Sequence, residues 1–334
     1  MGKPLVSISC ITYNHEKYIS DALYSFLMQK TDFDFEILIH DDASTDRTVD
    51  VIKYYQRRYP NIIKPIYQTE NQYSKGRRRI FYLFNDSRAV GKYIALCEGD
   101  DFWADPFKLQ KQVDYMRKNS KCSMCIHSAY IVDGDRKLQG TKVRPYKESR
   151  IVSIDDLIMG GGGFCATASI MYCKKDIENL PKFFMNAHVA DYPLQLILAS
   201  KGQVYYMDEP MSAYRVGIQG AWTTNLRAGK DAKDKDIKNC VNDIKLLKEF
   251  DTYTMYRYKE TIDSVINNRH MLILLINRNK GDIKKSQCKD YYNSLKFKHK
   301  FKINIKYYFP KLMEGIKAVI KYIKVYVCNI NIKY

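Results

Sequence analysis

The stretch YIALCEGDDFW, residues 93–103, is the most informative part of this chain. Its apolar part, residues 94–97, has the length and bulk of a buried strand. Three carboxylates then follow within four positions, at Glu98, Asp100 and Asp101. Crowded carboxylates repel each other by roughly a few kcal/mol in a low-dielectric cleft, and a cation removes that repulsion. Hard oxygen ligands at this spacing suit Mg2+ or Mn2+, with open positions left for phosphates. The alternative is a solvated acidic turn in which Asp105 caps the next helix.

Two other apolar runs also end in polar loops. Residues 5–11 precede the sequence TYNHE at 12–16, and residues 36–40 precede DDASTDRT at 41–48. In an open parallel sheet, ligands bind at the carboxyl ends of the strands. Three such loops at one edge therefore predict a cleft for a nucleotide and a metal ion.

The first half of the chain alternates strand and helix patterns. Strands are predicted at 5–11, 35–40, about 62–67 and 93–97. Each strand is followed by a predicted helix, and these helices begin at about Ile19, about Asp46, Arg77 and the pair Asp105–Pro106, the second of them ending at about Arg58. Such alternation requires right-handed crossovers and predicts an α/β fold with a mostly parallel sheet flanked by helices. Further along, the four glycines at 160–163 predict a mobile loop on the substrate side, because they lack the Lys-Ser/Thr of a P-loop.

The composition indicates a globular protein in a reducing compartment. The chain has 334 residues, of which 46% are hydrophobic, enough for one large domain or two smaller ones. Nine scattered cysteines and no visible secretory signal favour a cytoplasmic location. Cys122 and Cys125 form an isolated C-x-x-C pair without a second pair at zinc spacing, so buried thiols are expected. No apolar stretch reaches the roughly 18 residues of a membrane span.

The positive charge lies mostly in the last third of the chain. Residues 225–334 hold 25 Lys or Arg against 11 Asp or Glu, whereas the whole chain carries +18. This asymmetry indicates a basic region that meets an anionic partner, either a membrane surface or a nucleic acid. A Lys-rich helical region is predicted over about 231–276, and the strict alternation at 296–306 predicts a strand with one cationic face. Pro310 then opens a basic amphipathic helix with an apolar face from Leu312 to Val327, which would lie either on a membrane or on the protein's own core.

Five motifs, in order, resemble those of the family 2 glycosyltransferases, which have the GT-A fold. They are VSISCITYN at 6–14, DDASTDRT at 41–48, EGDD at 98–101, ADYPL at 190–194 and YRVGIQGAW at 214–222. The resemblance covers about residues 4–224. It implies a GT-A-like catalytic domain over 1–224, with a nucleotide-binding half at about 1–105 and an acceptor half at about 106–224. Residues 225–334 would then form a separate basic helical region.

The resemblance also implies roles for individual residues. Asp191 would be the catalytic base of an inverting transfer, although as the start of a helix it could equally serve as an N-cap, and the two roles are compatible. The donor nucleotide would be bound by Ile11, Tyr13, Asn14, Glu16, Asp42, Glu98 and Asp100. Asp100 and Asp101 would hold Mn2+ or Mg2+, and the diphosphate or acceptor would contact Arg215, Trp103 and Trp222. A UDP-sugar is the expected donor, and a saccharide or lipid-linked saccharide is the expected acceptor.

Two positions depart from the family pattern. Glu98 replaces the usual first Asp, and its longer arm could still reach a cation or a ribose. Gly217 stands where some relatives have a His that helps to hold the metal or the diphosphate, which leaves one metal contact open.

Two other functions compete with glycosyl transfer. Nucleotidyl transfer also uses carboxylates at sheet ends, but it gives no role to Asp191 or to the motif at 214–222. A non-enzymatic binder of an anionic polymer or membrane would use the Lys-rich tail and leave the first 224 residues unexplained. We therefore expect a transferase in surface polysaccharide or glycolipid assembly, with no nucleic acid partner. It would be cytoplasmic and, through residues 296–334, in contact with the inner face of the membrane.

Overall fold

The computed structural model describes residues 2–218, 231–277, 279–283, 286 and 288–308. The chain divides into two compact units, Met1–Ala221 and Trp222–Tyr334. The first unit contains the sheet, and the described part of the second unit is helical.

Four parallel strands form the first part of the sheet. They are β1 (Val6–Thr12), β2 (Phe35–Asp41), β3 (Ile63–Tyr67) and β4 (Tyr93–Glu98), in the spatial order β3-β2-β1-β4. Helices α1 (Ile19–Leu27) and α2 (Thr48–Arg58) follow β1 and β2. In the central strand β1, the side chains of Val6, Ile8 and Cys10 are completely buried. The α/β fold and the four predicted parallel strands are confirmed.

The second part of the sheet mixes both strand directions. It contains β5 (Phe102–Trp103), β6 (Cys122–Val132), β7 (Leu138–Val143), β8 (Arg150–Val152), β9 (Met171–Cys173) and β10 (Gln203–Arg215). β9 lies antiparallel between β4 and β6, and β10 runs parallel to β6. Strands β5, β7 and β8 add further antiparallel pairs, so the complete sheet is mixed.

The remaining helices of this unit lie along its second half. They are α3 (Lys108–Lys118), α4 (Ile154–Gly160), α5 (Lys182–Asn186) and α6 (Asp191–Lys201). The glycine run predicted to be a mobile loop instead ends α4 and forms a 3-10 turn at Gly161–Phe164. The thiols of Cys122 and Cys125 are free and buried in β6, as expected.

The basic helix predicted from Arg77 is instead a short segment of irregular helical turns. A π-helical turn at Phe81–Asn85 leads into a 3-10 turn at Asp86–Arg88. The Asn85 side-chain amide donates to the carbonyls of Cys10 and Leu38, at 2.9 and 3.2 Å. A buried amide that bonds to two neighbouring strands fixes this segment against the sheet, and such local contacts compete with regular helix geometry.

The second unit is described by five helices: α7 (Ala232–Tyr253), α8 (Lys259–Ile276), α9 (Lys280–Ile283), α10 (Lys289–Ser294) and α11 (Phe297–Tyr308). The strand predicted at 296–306 is wrong, because this segment is α11. The alternating pattern misleads because Ile303 packs into a cluster with Met271, Ile283 and Cys288. The helix predicted after Pro310 lies outside the described residues. Among the described helices, none is long and apolar enough to cross a membrane.

Gly91 is the point where the turn before β4 meets β1 most closely. A Cβ atom at Gly91 would lie 2.5 Å from the backbone nitrogen of Ser7 and 2.7 Å from the carbonyl carbon of Val6. The Gly91 amide also donates to the Ser7 hydroxyl at 2.9 Å. We predict that Gly91→Ala lowers the free energy of unfolding by about 1–3 kcal/mol, because backbone atoms of a central strand cannot move aside.

Gly163 provides the matched control, since a Cβ there meets no atom within 4 Å. Urea unfolding monitored by circular dichroism measures both variants. Equal stability of Gly91→Ala and Gly163→Ala would show that the turn is free to move away from β1.

Candidate active site

The loops that follow β1 and β2 are joined by hydrogen bonds. The Asn14 side-chain oxygen accepts from the Thr45 amide at 2.8 Å, and the Asn14 amide donates to the Ser44 hydroxyl at 2.9 Å. The Glu16 carboxylate accepts from the Arg47 amide at 3.1 Å. Tyr13 stands at the tip of the first loop with 44% of its surface exposed. The two loops therefore form one continuous rim that presents an aromatic ring.

Asp42 holds the segment that follows β3. One of its buried carboxylate oxygens accepts from the Gln72 amide at 2.7 Å, and the other accepts from the Tyr73 amide at 3.0 Å. Each carboxylate oxygen has more than one lone pair, so these bonds leave room for a further donor. Its hydrogen bond to a nucleobase stays a prediction.

The three carboxylates lie at the end of β4, beside β1. Ile11 pairs with Glu98, and the Ile11 carbonyl accepts from the Gly99 amide at 2.8 Å. A Cβ on Gly99 would lie 2.6 Å from the Thr12 hydroxyl, so glycine is what lets the two strand ends pack together. Burial, together with the charges of Asp100 and Asp191, raises the pKa of Glu98 to about 8. The crowding of carboxyl groups at this edge of the sheet therefore favours the protonated, uncharged form of Glu98.

Asp101 has the geometry of a cation ligand. Its Oδ1 accepts from the Arg215 amide at 2.8 Å, whereas its buried Oδ2 has no hydrogen-bond partner among the described residues. Burial and the charge of Asp100 raise the pKa of Asp101 well above its ordinary value. A buried oxygen without a donor is costly unless a cation approaches it. The chemistry of Asp100 and Asp101 therefore fits Mg2+ or Mn2+.

Protein side chains would supply only part of the coordination. Over the described residues, no three His, Cys, Asp or Glu side chains form a group that could hold a metal ion. The other ligands would come from diphosphate oxygens and water, as Mg2+ sites commonly require. Gly217, in the place of the family His, has positive φ and open space around its Cα.

Arg215 supports the acidic loop and does not face a ligand. Its side chain is completely buried and forms an ion pair with Asp21. It donates to the Asp100 carbonyl at 2.6 Å, and its guanidinium lies 4.8 Å from the ring centroid of Tyr18 and 4.9 Å from that of Phe102. The sequence predicted that Arg215 contacts the diphosphate or the acceptor. The structure corrects this prediction, because the Arg215 side chain has no accessible surface.

Trp103 is likewise a core residue. Only 2% of it is exposed, its indole N–H donates to the Ala168 carbonyl at 3.0 Å, and its ring lies 4.7 Å from that of Phe26. The expected ligand contact of Trp103 is therefore wrong, since an aromatic residue two positions beyond the acidic loop is already inside the core. Trp222 lies outside the described residues.

Asp191 begins α6 and faces the acidic loop. Ala190 is the N-cap of this helix and no side chain caps it, so Asp191 is the first helical residue and does not take the capping role considered from the sequence. Burial raises the pKa of its carboxyl group, whereas the backbone amides of Tyr192 and Asp191 and the charges of His188 and Arg79 lower that pKa. A Cβ on Gly162 would lie 3.2 Å from Asp191 Oδ2, which places the glycine turn against this carboxylate. The charge of Asp191 raises the pKa of Glu98, so residues from the two halves of the first unit lie near each other at this site.

Arg79 is a positioning residue that the sequence did not reveal. Its buried Nε donates to the Phe184 carbonyl at 2.5 Å, and its Nη2 donates to the Ala187 carbonyl. These carbonyls belong to the segment that leads into α6, so Arg79 fixes the approach to Asp191. Burial lowers the pKa of Arg79 to about 10, and the Asp191 carboxylate opposes that shift. The only available signal was the run of three arginines at 77–79.

Arg215 and Arg136 bind the same carboxylate from different environments. Arg215 is fully buried, whereas the Arg136 side chain is 64% exposed and lies 3.3 Å from Asp21 Oδ1. We predict that Arg215→Met lowers the free energy of unfolding by about 3 kcal/mol, because it removes the buried partner of Asp21. Arg136→Met, the matched control, should cost less than about 1 kcal/mol. Equal losses in chemical unfolding would mean that the acidic loop does not depend on the buried cation.

Two solved structures are similar to this chain in fold. The crystal structure of Staphylococcus aureus TarS 1-349 in complex with UDP has a TM-score of 0.55 and 15% identity, and the match covers 86% of this chain and 77% of that one. The mannosyltransferase PcManGT from Pyrobaculum calidifontis, in complex with GDP-Man and Mn2+, has a TM-score of 0.57 and 13% identity, with 100% and 89% covered. These similarities confirm the GT-A-like fold.

Relatives by sequence extend over about two thirds of this chain. An uncharacterized protein of Mycobacterium tuberculosis is 35% identical over 220 residues, 65% of this chain, which spans about 60% of that relative's length. The putative teichuronic acid biosynthesis glycosyltransferase TuaG of Bacillus subtilis is 29% identical over 234 residues, 68% of this chain and 85% of that protein. The family model described as "Glycosyl transferase family 2" matches residues 7–178. The chain belongs to glycosyl transferase family 2.

Proposed function

We propose that this chain is an inverting glycosyltransferase that moves a hexose from a nucleotide-diphosphate donor, a UDP-sugar, to a hydroxyl acceptor. The observation that carries the proposal is the acidic loop at the edge of the sheet, where the buried Oδ2 of Asp101 has no hydrogen-bond partner among the described residues and the charge of Asp191 raises the pKa of Glu98. An acidic loop for the donor and a separate carboxylate for the acceptor are the two elements that such a transfer requires. TarS with UDP-GlcNAc and PcManGT with GDP-Man support a nucleotide-sugar donor.

The donor would lie along the rim formed by the loops after β1 and β2. The exposed ring of Tyr13 can stack on the base, and Asp42 can accept its imide N–H. Asn14 and Glu16 hold the rim through hydrogen bonds to Thr45 and Arg47, so their role in donor binding is partly to shape the loop. A divalent cation bound by Asp100 and Asp101 would neutralise the charge that develops on the leaving diphosphate.

The acceptor would approach from the side of α6. The Asp191 carboxylate takes the proton of the acceptor hydroxyl. The hydroxyl oxygen attacks the anomeric carbon at the same time, on the face opposite the departing diphosphate. Attack from that face inverts the configuration of the anomeric carbon. The burial that raises the pKa of Asp191 makes it a stronger base. Arg79 would hold the preceding segment so that the carboxylate stays aligned.

A lipid-linked saccharide at the cytoplasmic face of the membrane is the proposed acceptor. The excess of Lys and Arg in residues 225–334 supports a location beside anionic lipid. TuaG, named for teichuronic acid biosynthesis, supports a place in surface polysaccharide assembly. A screen of UDP- and GDP-sugars, scored by nucleotide release with Mn2+ present, tests the donor class. Absence of release with every donor, in the presence of saccharide acceptors, would contradict the proposal.

Asp101→Asn tests the cation. The amide keeps an oxygen for the Arg215 amide but loses the negative charge beside the buried Oδ2 position. We expect turnover to fall about 100-fold and Mn2+-dependent nucleotide binding to weaken, with the thermal transition retained. Asp114→Asn is the control, because Asp114 lies on α3 and bonds to Gln110. Full activity of Asp101→Asn, or activity in excess chelator, would reject the metal assignment.

Asp191→Asn tests the base. Removing the proton acceptor should lower transfer by on the order of 100-fold or more while calorimetry still detects donor binding of nearly unchanged affinity. Asp176→Asn is the control, since burial also raises the pKa of Asp176, which lies near Lys175 and Lys201. If donor affinity fell in parallel with turnover, Asp191 would serve the donor or the fold instead.

A further inference from the structure

Helix α11 presents a row of aromatic side chains to solvent. Phe297, Phe301 and Tyr308 are 82%, 55% and 61% exposed, and the rings of Phe297 and Phe301 stack with centroids 6.1 Å apart. At 3.6 residues per turn, the three positions fall within about 40° of each other around the helix axis. Ile303, which packs into the apolar cluster of this unit, lies roughly 120–160° away from them. The helix therefore has one face in the core and a separate aromatic face outside.

Basic residues flank this aromatic face on both sides. Lys298 lies to one side of the row and Lys300 to the other, each roughly 80° from its centre. The Lys300 ammonium donates to the Asn293 carbonyl at 2.6 Å, which holds it close to the helix surface. Lys298 is exposed. Aromatic residues on one face, with lysines along its borders, are typical of helices that lie in the plane of a membrane interface.

We propose that the aromatic face of α11 binds the surface of an anionic membrane. Charge complementarity selects this partner, since residues 291–313 contain six lysines and neither Asp nor Glu. Lys298 and Lys300, which flank the aromatic face, would contact lipid phosphates. The rings of Phe297, Phe301 and Tyr308 would then enter the headgroup region, where aromatic side chains are favoured.

This inference deepens the proposed location at the membrane, yet its test is independent of catalysis. Binding of the chain to lipid vesicles needs neither a sugar donor nor Asp191. A chain that transfers sugar but ignores vesicles would reject the inference alone, and a chain that binds vesicles without transferring sugar would reject the proposed reaction alone.

Co-sedimentation of the full chain with vesicles tests the aromatic face. The chain should bind vesicles of phosphatidylglycerol and phosphatidylethanolamine at about 0.1 M salt, and bind pure phosphatidylcholine vesicles at least about 10-fold more weakly. The double variant Phe297→Ser, Phe301→Ser should lose about 10-fold or more of the binding to anionic vesicles, because two exposed rings no longer enter the interface. Circular dichroism checks that helicity is retained.

The matched control removes two other exposed apolar side chains of the same unit. Met255 and Tyr256, in the turn between α7 and α8, are 78% and 59% exposed. Binding of Met255→Ser, Tyr256→Ser should stay within about twofold of the parent. Equal losses in both double variants, unchanged binding of the α11 variant, or equal binding to neutral vesicles would each overturn the proposal.

Tryptophan fluorescence tests directly whether the aromatic face of α11 enters the membrane. In Phe301→Trp, the additional indole emission should shift to the blue on addition of anionic vesicles and be quenched by brominated lipid. A parallel variant, Ile316→Ser, Ile320→Ser, alters the segment beyond α11. If that variant alone abolished binding and the emission of Phe301→Trp did not change, the membrane contact would lie outside α11 and the proposal would be wrong.

Discussion

The structure of the site depends on one electrostatic constraint, the crowding of Glu98, Asp100 and Asp101 at the end of β4. Burial makes their mutual repulsion expensive, and the raised pKa of Glu98 and of Asp101 expresses that cost. Arg215 offsets this cost, because its backbone amide and its buried guanidinium both donate hydrogen bonds to the acidic loop. The buried Oδ2 of Asp101, which has no hydrogen-bond partner among the described residues, leaves a place for a cation.

The charge of a carboxylate also acts between the two halves of the first unit. Asp191 approaches the acidic loop from α6, a helix more than 90 residues further along the chain, and its charge acts on Glu98. Arg79 comes from the segment after β3 and fixes the carbonyls that precede α6. A residue from the segment after β3 thus holds the segment that leads into Asp191.

The two units differ in the charged residues that they contain. The first unit concentrates carboxylates at one edge of a mixed sheet, where a cation and a diphosphate can meet. The second unit is basic and helical, with the aromatic residues of α11 on an exposed face. The charge asymmetry of the chain is therefore an excess of Lys and Arg in residues 225–334, whereas the carboxylates at the end of β4 are a local feature of the first unit.

The sequence alone determined the parallel strands β1–β4 and the acidic loops at their carboxyl ends, because apolar runs and polar loop residues are local signals. It also determined the buried thiols of β6. Only the tertiary structure decided that Arg215 and Trp103 lie in the core, that Arg79 anchors the approach to Asp191, and that β9 runs antiparallel. The physical reason is that burial of a side chain depends on partners distant in the chain. The segment 296–306 illustrates the same limit. Its alternation of Lys and apolar residues fits a strand, but the segment is a helix, in which Ile303 packs against Met271, Ile283 and Cys288.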